Sequence, residues 1–129
     1  MGLFRSAYSA VYRGIVSALS ALGLPVNGTA DLPRVELHSF TENEPLDKEG
    51  RTRSLTVVVD SMSETSVSEA VGLAETSVAG LIGSALDLGE GFRVLGVLPT
   101  QLQDLPETSD SQKVIYRVLQ TFNVFVTQI

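Results

Sequence analysis

The sequence predicts an α+β fold: a four-stranded, mostly antiparallel sheet with two helices packed on one face, in the order helix-strand-strand-helix-strand-strand. Three observations predict it. The length of 129 residues fits a single domain, residues 1–129. A hydrophobic fraction of 43% is enough to fill a core without disulfides or metal ions. Segments in which apolar residues recur with the two-residue period of strands come in pairs. Each pair follows a segment in which apolar residues recur with the period of a helix.

The first half of the chain predicts one helix and two strands. Apolar residues recur at three- and four-residue steps over residues 3–22, which is typical of an amphipathic helix, and Gly23 ends it. Polar and apolar residues alternate over residues 34–40, which predicts a short strand, and the β-branched run at residues 54–60 predicts a second. The polar and charged residues 41–53 form the loop between these strands.

The second helix is predicted over residues 67–86. Its apolar stripe contains many small residues, which allow a helix to approach a sheet or another helix closely. Ser66 and Glu69 have the spacing of a capping box at its start.

Two strands close the chain. Residues 92–98 form the third strand, with Pro99 at its end, and residues 103–112 are an acidic loop. Residues 113–127 form one long last strand, which at ~3.3 Å per residue would span ~50 Å. It is apolar on both faces, so we expect it to pair or pack against another subunit. The alternative is an ordinary central strand with a frayed end.

Charge argues against nucleic-acid binding, and composition argues against cysteine chemistry and a membrane span. Fifteen acidic and 9 basic residues give a net charge of −6, and the basic residues form no cluster that could grip phosphates. The absence of cysteine excludes disulfides, thiolate catalysis and cysteine metal sites. No stretch approaches the ~20 apolar residues of a membrane span.

Residues suited to catalysis are few, and we expect no enzymatic activity. The single histidine, His38, precedes Ser39, but neighbouring strand residues point to opposite faces, so surface or partner contact is the expected role of His38. The carboxylates between Glu42 and Glu49 match no calcium-loop spacing and are interleaved with basic residues. Gly89 and Gly91 follow a helix, the wrong order for a phosphate-binding loop. No catalytic residue, cofactor or metal is therefore predicted.

The order of elements and the last strand resemble those of a known family. The segments that carry the resemblance are the amphipathic helix Phe4 to Leu22, the strand, charged loop and strand from Val35 to Asp60, the small-residue helix Val67 to Leu86, and the ending Tyr116-Arg117-Val118-Leu119-Gln120-Thr121-Phe122-Asn123-Val124. Over essentially the whole chain this layout is similar to that of the tail terminators, the small tail-completion proteins of tailed phages. Related neck proteins of the head–tail joint share a similar layout.

The resemblance implies a structural role in a virion. Such proteins form a closed ring, usually of about six subunits, at the head-proximal end of the tail; contacts that close on themselves make rings of this kind. The ring ends tail-tube polymerisation and joins the tail to the head connector or stopper. Its partners are other copies of itself, the tube protein and the connector, and DNA passes through the lumen without specific binding. The expected location is the virion tail or neck, after assembly in the host cytoplasm.

Two groups of residues are hypothesised to make these contacts. The 41–53 loop would meet the tube or a neighbouring subunit, and the last strand would add apolar contacts. The residues are Glu44, Lys48, Arg51 and Arg53 in the loop, and Phe122, Val124 and Phe125 in the strand. Competing interpretations are a small ligand-binding or enzymatic α+β domain, and an adaptor that forms a dimer through the last strand.

Overall fold

The computed structural model describes residues 6–23, 26, 33–44, 46, 51–83, 88, 91–104, 107–108 and 114–129. The elements in chain order are α1 (Tyr8–Ala21), β1 (Arg34–Glu42), β2 (Thr52–Ser63), α2 (Val67–Gly83), β3 (Phe92–Asp104), β4 (Glu107–Thr108) and β5 (Val114–Gln128). This order confirms the predicted fold class, with the two-residue strand β4 added. The predicted helical residues 3–5 and 84–86 lie outside the described residues.

The sheet has the order β1-β2-β5-β3, and every neighbouring pair is antiparallel. The short strand β4 pairs with the start of β5. In the register of β2 and β5, Leu55 lies opposite Val124 and Val57 lies opposite Phe122. Since residues two apart share a face, these pairs form one continuous apolar surface across the centre of the sheet.

Strand β5 is central, and this corrects one expectation. It pairs with β2 over Tyr116–Thr127 and with β3 over Val118–Gln128, so both of its edges are occupied within the chain. The expectation that this long strand pairs with another subunit is therefore wrong, whereas packing of its side chains against another subunit stays a prediction. Its length is matched by β2 and β3, which have 12 and 13 residues.

Strand β3 is longer than predicted and does not end at Pro99. It continues to Asp104 as an edge strand of the sheet. Proline is tolerated there because an edge strand leaves alternate N–H groups without a partner in the sheet. The pairing with β5 shifts between Val94 and Gly96 and again between Pro99 and Gln101, which are bulges in β3.

Helix α1 is capped by a carboxylate at its start and terminated by a glycine at its end. At its start, the backbone N–H of Ala7 donates to Glu42 Oε2 at 2.9 Å, and Ser6 Oγ donates to Glu42 Oε1 at 2.7 Å. This carboxylate from β1 replaces the side-chain cap that the helix lacks. At its end, Gly23 has φ +80°, a conformation that glycine adopts without strain and that commonly ends helices.

Helix α2 begins with half of the predicted capping box. Ser66 Oγ accepts a hydrogen bond from the Glu69 N–H at 3.1 Å, whereas the Glu69 carboxylate accepts from Ser63 Oγ instead of reaching back to the cap residue. The predicted small residues do allow close approach. At Gly80 an added Cβ would lie 2.2 Å from Leu22 Cδ1, at the point where α2 passes the end of α1.

Both helices cover the same face of the sheet, as predicted. Helix α1 packs on a cluster that includes Phe122 and Val124 of β5, and α2 packs on Val118 of the same strand. These three β5 residues are separated by even numbers and therefore share a face. The opposite, helix-free face is lined by polar side chains that bond across the strands. Thr56 Oγ1 accepts from Asn43 Nδ2 at 3.1 Å and donates to Asn123 Oδ1 at 3.2 Å.

Candidate subunit interface

Three of the hypothesised contact residues lie inside the subunit. Phe122 and Val124 are fully buried beneath the helices, and Arg53 is fully buried as well. Their side chains are therefore not available to a partner, and we withdraw them as contact residues. The last strand has two apolar faces in sequence, and the helices cover the face that carries Phe122 and Val124.

Arg53 is a strand residue and not a loop residue. Strand β2 begins at Thr52, so the charged loop ends earlier than predicted and Arg53 shares the helix-covered face with Leu55. Its Nη1 lies 3.4 Å from Glu42 Oε2, and its guanidinium carbon lies 5.9 Å from the ring centroid of Phe92. The buried charge is thus stabilised by a carboxylate and an aromatic face.

Two of the hypothesised loop residues remain exposed at the β1–β2 end of the sheet. Glu44 lies two residues beyond the end of β1, and Arg51 precedes β2. Arg51 is fixed there, since its Nη2 donates to the Gln128 carbonyl at 3.0 Å, and Gln128 N–H donates to the Arg51 carbonyl at 2.8 Å. Lys48 lies outside the described residues. Glu44 and Arg51 therefore stay candidates for contact with a partner at this end of the sheet.

Phe125 lies on the helix-free face and is half-buried. It stands opposite Ser54 on one side and Gly96 on the other. Gly96 has no side chain to place beside Phe125, and a Cβ added there would meet nothing within 4 Å. Phe125 remains a candidate contact residue.

The most exposed large apolar side chains of the strands are three leucines of β3 that the sequence prediction missed. Leu95, Leu98 and Leu102 of β3, here called the leucine edge, are 53%, 54% and 52% exposed. No charged residue occurs between Arg93 and Asp104. The signal was present in the sequence as an apolar pattern that continues past Pro99, but the proline was interpreted as the end of the strand.

The leucine edge is suited to side-chain packing and not to the addition of another strand. Pro99 supplies no N–H for a new strand, and the two bulges of β3 interrupt the regular row of backbone groups. Both features are known ways to prevent edge-to-edge pairing. What the edge offers to a partner is therefore its leucine side chains.

A groove runs between α2 and β3 beside this edge. Its volume is about 360 Å³. Its lining residues are Ala74, Glu75, Val78, Ala79, Pro99, Leu102 and Gln120. The amide of Gln120 is engaged, since its Nε2 donates to the carbonyls of Gln101 at 2.9 Å and Thr121 at 3.0 Å. The groove is thus an apolar slot with the carboxylate of Glu75 among its lining groups.

The described residues offer few candidates for a catalytic, metal or membrane site. His38 and Ser39 are both exposed at a bulge of β1. Within the described ranges, no three of the His, Asp and Glu side chains come together closely enough to hold a metal ion. No helix among those residues is long and apolar enough to cross a membrane.

Comparisons with known proteins show the fold. No protein-family model matches the chain, and no curated protein matches its sequence. Among solved structures, the chain is similar to a chain of the structure described as "Virion of native gene transfer agent (GTA) particle". The TM-score is 0.66 at 19% sequence identity, and the match covers 93% of both chains. The whole α+β fold is therefore shared with a chain of that virion.

Proposed function

We propose that this chain is a structural protein of a phage-like virion. It forms a homo-oligomeric ring, on the order of six copies, by contacts that close on themselves. The ring sits at the head-proximal end of the tail, ends tail-tube polymerisation and joins the tail to the head connector. We further propose that it has no enzymatic activity and works by contact alone.

The observation that carries this proposal is the leucine edge. Three leucines exposed by more than half lie along an edge strand without charge from Val94 to Gln103, so apolar side chains on both faces of this edge are open to a partner. The similarity in fold to a chain of a virion supports a structural role in such a particle. The match over 93% of both chains leaves little of either outside the common fold.

The charge of the chain suits a channel for DNA. A net charge of −6 per subunit repels phosphates, whereas a basic lining would hold them. Two arginines of the sheet are also paired with carboxylates of the same subunit. Arg34 Nε lies 3.0 Å from Glu36 Oε1, and Arg117 pairs with Asp60. DNA would therefore pass through the lumen without specific binding.

A second candidate function is another protein of the head–tail neck. The similar chain belongs to a whole virion, whose description names no position within the particle. Such a protein would use the same contact surfaces but would meet a different pair of partners. The ligand-binding interpretation is disfavoured by the groove, which offers few polar groups to orient a ligand. The adaptor dimer joined through the last strand is disfavoured because both edges of β5 are occupied.

Deletion of the coding sequence in a strain that produces the particle separates these functions. A tail terminator predicts tails of uncontrolled length together with heads that carry no tail, as seen by electron microscopy. Another neck protein predicts tails of normal length that are not attached to heads. Normal particles after deletion would contradict both functions. Restoring the wild-type chain is the control, and it should return normal tails in either case.

A further inference from the structure

A second apolar surface lies on the other side of the molecule. Tyr8 and Tyr12 are one turn apart on α1, and both rings pack edge-on against Phe40 of β1, with centroid distances of 4.5 and 5.6 Å. The two tyrosine rings are nearly parallel, with an interplanar angle of 4°. Tyr8 is nevertheless 42% exposed. These three residues are called the aromatic patch.

The aromatic patch and the groove belong to opposite edges of the sheet. Phe40 lies in β1, and Pro99 and Leu102 lie in β3, which are the first and last strands of the order β1-β2-β5-β3. Three strand spacings of ~4.8 Å separate these strands by ~14 Å. Each subunit therefore carries one apolar surface on each side.

The groove fits an aromatic side chain better than a polar ligand. Its walls are mostly small or aliphatic, and the Gln120 amide is already bonded within the sheet. A tyrosine combines an apolar ring with a hydroxyl that needs a partner. The carboxylate of Glu75, which is exposed and lines the groove, is an acceptor of the required kind.

The charges beside the two surfaces are complementary. The aromatic patch is followed directly by the exposed Arg13, next to Tyr12 in α1. The groove contains Glu75, and the exposed Asp104 lies two residues beyond Leu102 on the same strand. The chain has a net charge of −6, so most of its surfaces repel the same surfaces of another copy. The opposite charges at these two sites therefore favour contact between copies there.

We infer that the aromatic patch of one copy docks in the α2–β3 groove of the next copy. This inference rests on the proposed function, since it names the subunit contact of the proposed ring. The two surfaces differ, so the contact is head-to-tail and leaves one surface free for the next copy at each step. Such contacts continue until the ring closes, whereas a contact between identical surfaces stops at two copies.

Cross-linking tests the inference directly. The chain contains no cysteine, so introduced thiols are the only ones present. Ser9 follows Tyr8 of the aromatic patch and Thr76 follows Glu75 of the groove, and both are exposed. With a short thiol-reactive cross-linker, the double variant Ser9→Cys/Thr76→Cys should give a ladder of covalent oligomers. An equal mixture of the two single variants should stop at covalent pairs, and neither single variant alone should cross-link.

The outcomes separate this inference from the proposed function. Self-cross-linking of either single variant would show contact between identical surfaces and overturn the inference. The double variant could also form a ring, as measured by native mass, without giving a ladder of covalent oligomers. That result would overturn the inference and leave the proposed function standing. A chain that stays monomeric, in a strain whose particles are normal without it, would instead overturn the proposed function.

A charge placed in the groove gives a second test with a matched control. Ala79 and Ser68 are both exposed on α2, but Ala79 lines the groove and Ser68 lies in the first turn of the helix. We expect Ala79→Arg to weaken self-association by about tenfold or more, as for the loss of one well-packed contact. Ser68→Arg makes the same charge change and should leave association within about twofold of wild type. Equal association constants for wild type and Ala79→Arg by sedimentation would overturn the inference.

Discussion

Glu42 and Arg53 form a buried ion pair that ties strand β1 to strand β2 and to the start of α1. The distance between Glu42 Oε2 and Arg53 Nη1 is 3.4 Å, and the two side chains are 16% and 0% exposed. The same carboxylate receives the Ala7 N–H and the Ser6 hydroxyl. One side chain therefore neutralises a buried charge and caps a helix.

Removal of the Glu42 charge should destabilise the fold. In Glu42→Gln the amide can still accept hydrogen bonds, but the buried Arg53 loses its counter-charge. We expect a loss of on the order of 3 kcal/mol in the free energy of unfolding, measured by urea titration. The control is Glu44→Gln, which changes an exposed carboxylate two residues away and should cost less than about 0.5 kcal/mol. Equal urea midpoints for the two variants would contradict the role assigned to the pair.

Two glycines of α2 should respond differently to the same substitution. Gly72 has nothing within 4 Å of an added Cβ, whereas at Gly80 the added atom would lie 2.2 Å from Leu22 Cδ1. Gly72→Ala should stabilise by up to about 1 kcal/mol through helix propensity. Gly80→Ala should show no such gain, because Leu22 must move from its contact. The gain should return when Leu22→Ala is introduced as well, and thermal unfolding of the four variants measures this. A stabilising Gly80→Ala in the wild-type background would show that Leu22 moves without cost.

The pair of Asp60 and Arg117 should be energetically coupled. Arg117 Nε donates to Asp60 Oδ2 at 2.9 Å, and the Asp60 side chain is 1% exposed. We expect Arg117→Gln to destabilise strongly in the wild type, because a buried carboxylate is left without its cation. In the Asp60→Asn background the same change should cost less by about 1–3 kcal/mol. A double-mutant cycle by chemical unfolding measures the difference, and strictly additive effects would rule out a functioning pair.

Two phenylalanines on opposite faces of β5 should respond differently to the same substitution. Phe122→Asp places an unpaired charge in the core and should prevent stable folding. Phe125→Asp lies on the helix-free face beside the β3 edge and should leave the subunit folded while weakening the ring. Circular dichroism checks the folding of each variant, and sedimentation checks the assembly. A folded Phe125→Asp with unchanged assembly would remove Phe125 from the contact surface.

The order of elements could be predicted from the sequence because periodicity reports local structure. Residues 54–60 and 113–127 are predicted as strands by their β-branched and alternating residues. The misassignment of Arg53 has a physical cause. A charged residue next to a charged loop is assigned to the loop. Arg53 is nevertheless separated by even numbers from Leu55 and Val57, so it shares their face of the strand. Its burial depends on Glu42, which reaches it from another strand.

The contact surfaces depended on tertiary structure and could not be predicted in the same way. The last strand is apolar on both faces, so the sequence could not show that the helices cover Phe122 and leave Phe125 half-exposed. The leucine edge is exposed because β3 lies at the edge of the sheet, and strand order is set by long-range pairing. The groove and the aromatic patch each combine a helix with the strand that follows it, so they depend on how the helix packs against the sheet.

The most direct test of the central claim is the native mass of the purified protein, measured over a range of concentrations with negative-stain images of the same samples. The account predicts a closed ring of on the order of six copies of the 13.8 kDa chain, with a central hole. A species that stops at two copies at every concentration, with no ring in the images, would contradict it. That result would show a contact between identical surfaces, which cannot build a ring of this kind.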